Sequence, residues 1–223
     1  MKFVSPIFLL LALSVSCPEI RAEGVSAGVK LSTLGAGLEV TKSFSKYFNG
    51  RVGLNYLTYD YNGVETDMEY DIELKLSSVN ALVDWLPFEG IFHVTGGILF
   101  NNNELNAVGV LTSSKMYTEI GDGRYTYEEV EELAGNITFN KTALYWGLGW
   151  GNPVMKGSGL SVCLDLGVVM QGSPKVDLSS TKGTIVNTPV FQQELSKEED
   201  ELENELEDFK LYPVISVGIN YQF

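Results

Sequence analysis

Eight separate stretches of this chain set bulky apolar residues at every second position, and small, polar or charged residues stand between them. A period of two describes a strand with two unlike faces. The closing segment, Tyr212 to Phe223, shows the pattern: Pro213, Ile215, Val217, Ile219, Tyr221 and Phe223 alternate with Ser216, Gly218, Asn220 and Gln222. The same alternation runs through residues 25–31, 34–41, 51–56, 92–101, 142–151 and 160–171. Residues 70–85 are less regular. Ile72, Leu74 and Leu76 hold one phase, Val79, Ala81, Val83 and Trp85 the other, which predicts a β-bulge near Ser77-Ser78.

The minor face decides the fold class. In a sandwich two apolar faces pack together, yet here the second face is rich in glycine: Gly35, Gly37, Gly53, Gly97, Gly147, Gly149, Gly167 and Gly218. At ~25 cal/mol per Å² such a face buries too little area to offset chain entropy. The apolar face therefore needs a solvent outside the protein. In a closed barrel every backbone group is paired, the apolar face meets acyl chains and the small polar face fits a narrow lumen. The chain is predicted to be all-β: an eight-stranded antiparallel transmembrane β-barrel with short helices in long extracellular loops. A soluble, lipocalin-like binder would need the reverse arrangement of faces.

The first 22 residues fit a secretory signal peptide: Lys2, an apolar run from Ile7 to Val15, and Ala22 before the cleavage point. Lipidation at Cys17 is the competing reading. The remaining residues, 23–223, form the barrel, and the expected location is the bacterial outer membrane. A formal charge of -14 argues against nucleic acid as a partner. Short connections at residues 45–49, 86–90 and 152–159 mark the periplasmic side, whereas residues 62–69, 102–140 and 172–208 are long outer loops. Phe44, Tyr47, Phe48, Trp85, Phe88, Phe92, Trp150, Tyr221 and Phe223 cluster on the short-turn side, where aromatic rings favour the headgroup interface.

The segments "TLGAGLEVTKSF", "DWLPF", "YWGLGWGN", "QGSPKV" and "DFKLYPVISVGINYQF" together resemble small Gram-negative outer-membrane barrels, broadly like the OmpA transmembrane domain and OmpW-type proteins. The resemblance implies a monomer surrounded by outer-membrane lipid and lipopolysaccharide. It also implies recognition of the strand ending at Phe223 by the barrel-assembly machinery. The cell-wall anchoring role of OmpA is not expected to carry over.

Six inward-phase residues carry ionisable groups: Lys30, Glu39, Arg51, Asp84, His93 and Asp165. An eight-stranded barrel has room for little more than side chains, so these groups are expected to pair into a plug. The alternative is a narrow channel for uptake of a small solute. Residues 194–208 combine Glu198, Glu199, Glu201 and Glu205 with Leu195, Leu202 and Leu206 at helical spacing, and Ser196 with Glu199 reads as a capping box. The plain reading is a solvated acidic helix; the sharper one is a divalent-cation or cationic-partner site. "TYEEVEEL" predicts a second short helix, with Thr126 and Glu129 as its capping box and Gly135 as its stop. His93 stands near the periplasmic end, away from the outer rim where barrel hydrolases act. No enzyme activity, cofactor or metal is expected.

Overall fold

The computed structural model describes residues 24–65, 68–111, 117–155 and 159–223, so the signal-peptide and Cys17 readings lie outside it. Its elements run β1 (Val25–Ser32), β2 (Gly35–Ser45), β3 (Phe48–Glu65), β4 (Met68–Trp85), β5 (Phe92–Asn101), β6 (Glu104–Leu111), β7 (Thr118–Ile120), β8 (Gly123–Tyr125) and β9 (Glu132–Thr138). Then follow β10 (Thr142–Trp150), β11 (Gly159–Met170), β12 (Lys175–Ser179), the helix α1 (Pro189–Glu205), a 3-10 turn (Glu207–Lys210) and β13 (Leu211–Gln222).

Eight of the strands close on themselves in the order β1-β2-β3-β4-β5-β10-β11-β13, and β13 pairs back onto β1. Every pairing in the ring is antiparallel. A closed ring leaves no unpaired strand edge, which is what the hydrocarbon region of a bilayer demands. The outward side chains form a continuous apolar belt that includes Val29, Leu38, Val52, Trp146, Leu164 and Ile219, all well exposed. Only lipid is an adequate solvent for such a belt.

Strands β3 and β4 are 18 residues each, nearly twice the ~9–11 that cross a bilayer, so their upper halves stand clear of the ring. There β4 changes partner. Its lower half, Ser78 to Trp85, pairs with β5, and its upper half, Met68 to Lys75, pairs with β6. The corner is made by three consecutive asparagines. Ser77 N–H donates to Asn103 Oδ1 (2.9 Å), Asn102 N–H to the Ser77 carbonyl (2.9 Å) and Asn103 N–H to Asn101 Oδ1 (3.2 Å), which fills the gap in the ladder. From β6 the sheet continues through β9 to β12, and α1 packs on β12.

Several sequence expectations are corrected here. The β3–β4 register is continuous through Ser77 and Ser78, so there is no bulge at that point. The phase of β4 changes because its surroundings change. Below Ser77 the even-numbered face looks into the polar lumen; above it the same face, with Leu76 buried, belongs to the raised sheet. Residues 62–69 are mostly strand, not loop. Residues 102–111, 117–140 and 172–208 build a folded cap with its own core of Ile120, Tyr125, Val130, Val186, Phe191 and Leu195. "TYEEVEEL" makes one turn and then enters β9, which contains Gly135. Helix α1 begins at Pro189 with Thr188 as its N-cap, several residues before Ser196.

Candidate functional site: a two-layer plug below a folded cap

The lumen is closed in two layers. The lower layer is ionic and is centred on Arg51, which is only 4% exposed. Its guanidinium meets Asp84 at 3.0 Å, Asp165 at 3.1 Å and Glu39 at 3.4 Å, and donates to Thr95 Oγ1 at 3.1 Å. Lys30 reaches the other oxygen of Glu39 at 2.8 Å, and His93 Nε2 lies 3.0 Å from Asp165 Oδ1. Thr95 Oγ1 in turn donates to Asp84 at 2.8 Å. All six inward ionisable residues named from the sequence thus sit in one connected network drawn from β1, β2, β3, β4, β5 and β11. Arginine suits the centre because its planar fork can address several carboxylates at once.

Glycines supply the space. A Cβ at Gly149 would collide with the His93 ring, and one at Gly167 would collide with the Tyr145 ring. The inward glycines are therefore seats for large side chains from neighbouring strands.

Above the ions lies an apolar layer of Leu34, Leu82, Leu99, Ala143, Tyr145, Val169 and Val214. The alternation of residues 34–41 predicts Leu34 on the outward face, and the sequence predicts a plug of polar and charged groups alone. In the structure Leu34 sits in the tight turn between β1 and β2 and folds inward, 5% exposed. Leu99, Tyr145 and Val169 fall in the inward phase of their stretches; that they meet Leu82, Ala143 and Val214 in one layer has no sequence signal, because the residues come from different strands. Where the two layers meet, a cavity of about 20 Å³ remains, enough for roughly one water molecule. On the periplasmic side Asn49 Nδ2 donates to Asn152 Oδ1 at 3.2 Å, and Leu86 and Val154 are buried nearby.

The acidic helix is more than a solvated face. Glu203 Oε1 accepts from Val176 N–H at 3.0 Å and Glu199 Oε1 from Leu178 N–H at 2.7 Å. These amides belong to β12, the outermost strand of the raised sheet. Glu198 and Glu194 accept from the Gly121 and Asp122 amides, each at 2.8 Å, in the turn between β7 and β8. Lys197 bridges Glu194 and Asp122 at 2.9 Å. Its hydrogen bonds to those two carboxylates raise its pKa, and the bond from Lys197, then that from the Asp122 amide, hold Glu194 below the ordinary range. Glu201 and Glu205 remain exposed. Among the described residues no group of three or more His, Cys, Asp or Glu side chains is arranged to hold a metal ion.

A closed antiparallel ring, an outward apolar belt and a filled lumen define a small membrane-spanning β-barrel. No family model matches the chain, and no curated protein matches it. Among solved structures it is similar to Acinetobacter baumannii CarO2, at 21% identity and a TM-score of 0.60, covering 89% of this chain and 98% of that one. It is also similar to CarO from the same organism, at 17% identity and a TM-score of 0.57, covering 89% and 97% respectively. The chain has a CarO-like barrel fold.

Proposed function

We propose that this protein is an outer-membrane barrel whose lumen is a structural plug and whose work is done at the cell surface by the cap. The observation that carries this reading is the double closure of the lumen, ionic below and apolar above, with space for about one water molecule between. Passage of a solute would require parting Arg51 from three carboxylates in a site nearly sealed from water, each uncompensated charge costing several kcal/mol. The motif resemblance to OmpA- and OmpW-type barrels supports the same placement. Tyr221 and Phe223, whose rings stand 5.4 Å apart on the belt, are the features for the assembly machinery to read. Lipid and lipopolysaccharide surround the belt of a monomer. Enzyme chemistry plays no part in this reading, since His93 is spent on Asp165 inside the plug.

Planar-bilayer recording tests it. Purified protein is expected to give no steady conductance. Steady channels of nanosiemens size would overturn the plug and restore the alternative, a narrow uptake channel for a small solute.

A further inference from the structure

Directly above the plug lies a second space, open on one side. It is about 250 Å³, bounded by Leu74 and Leu76 of β4, Leu105 of β6, Ile137 of β9, and Leu206 and Phe209 where α1 runs into the 3-10 turn. Tyr212 forms part of its wall and also packs on the apolar layer of the plug, so the chamber is floored by the barrel rather than open to it. Its two deeply buried polar neighbours are already engaged. Asn103 Oδ1 accepts from the Ser77 amide, and Gln171 Nε2 donates to the Phe209 carbonyl at 2.9 Å, which ties the 3-10 turn to the top of β11. The lining has one carboxylate, Glu104, and no lysine, arginine or histidine.

We infer that this chamber is a binding site for a small, neutral, apolar molecule, an aromatic ring system or a short alkyl chain. Apolar pockets take up such molecules, and a cavity of ~150 Å³ already admits benzene. With no cation in the wall, an anionic headgroup has no counter-ion, which selects against fatty acids and other carboxylates. A polar solute finds few partners, because the two buried amides in the lining each already hold one bond. Entry is along the same sheet face. Leu57 and Tyr59 of β3, both substantially exposed, stand opposite Leu76 and Leu74 and carry the apolar surface from the open side to the chamber. The site lies above the plug and is independent of whether the lumen conducts.

The test uses the full barrel in lipid nanodiscs, photolabelled with a phenyl diazirine and mapped by mass spectrometry. Adducts are expected on the peptides carrying Leu105, Ile137 and Phe209, and excess toluene should reduce them at least tenfold. Adducts on belt residues such as Leu160 and Val162 should persist under toluene, because the bilayer does not saturate. Leu105→Trp, which fills the chamber, should abolish the competed adducts and leave the belt adducts unchanged; Ile137→Phe serves if the first variant does not assemble. Chamber labelling no greater than that of the polar outer face at Asp60 and Glu73, or labelling that toluene does not compete, would overturn the inference.

Discussion

The barrel and the cap are built from one strand pair with opposite rules of solvation. In the ring, β4 points Ser78, Asn80 and Asp84 inward and Val79, Val83 and Trp85 outward to lipid. A few residues higher, the same inward phase carries Leu76, Leu74 and Ile72 into a sheet covered in part by helix, while Glu73 and Lys75 pair at 2.7 Å on the other face. The strand does not change register; its solvent changes. Alternation alone reports that a strand has two faces, and the identity of the surrounding medium decides which one is the core.

The largest effect is expected at Arg51. Arg51→Gln leaves Glu39, Asp84 and Asp165 without their shared cation in a buried site, and about 3–5 kcal/mol of barrel stability should go with it. Denaturant unfolding in lipid vesicles measures this. A loss below ~1 kcal/mol would mean that the belt and backbone ladder hold the ring without the plug.

The cap has a corresponding centre in Phe191, fully buried and edge-on to Tyr125 at 5.2 Å. Phe191→Ala should cost about 3 kcal/mol of cap stability, the lower end of the usual range because surface elements relax around the gap. Limited proteolysis should then cut between residues 117 and 138 while the unfolding midpoint of the barrel stays in place. An equal fall in that midpoint would show that cap and ring form one cooperative unit.

A smaller effect is expected at the outer edge of the raised sheet. Glu199→Ala with Glu203→Ala removes the acceptors for the Leu178 and Val176 amides, about 1 kcal/mol each. Amide hydrogen exchange at those two residues should quicken severalfold, with the ring unaffected. Unchanged exchange would mean that the helix protects β12 by packing alone.

The difference between the regions also explains what the sequence could and could not reveal. The ring strands were legible because lipid on one side and a narrow bore on the other keep the alternation regular below the apolar layer, and it lapses where Leu82, Leu99, Val169 and Val214 turn inward. "TALYWGLGW" corresponds to β10 from end to end. The six lumen charges were legible for a related reason: inward-phase groups in a bore of this width have nowhere else to go. The cap obeys no such constraint. Strand β6 pairs with β4 and β9, and β9 with β12, across long sequence separations, with Ala107, Gly109 and Gly135 among their residues. Half of the capping box at "TYEEVEEL" forms, with Thr126 N–H donating to Glu129 Oε2 at 2.8 Å while the Thr126 hydroxyl donates to the same oxygen, but pairing of β9 from Glu132 halts the helix after one turn. Local preference yields there to tertiary pairing. The start of α1 did carry a signal, Thr188 followed by Pro189, the residue type that favours a first helical turn.

The central claim is that the bulky face of the ring lies against acyl chains, and the three tryptophans report on it without any substitution. Trp85, Trp146 and Trp150 all project outward, each more than 40% exposed. In vesicles of lipid brominated along the acyl chains, intrinsic fluorescence should be strongly quenched, while aqueous iodide should have little effect. Strong quenching by iodide with none by the brominated lipid would place those rings in water and contradict the account.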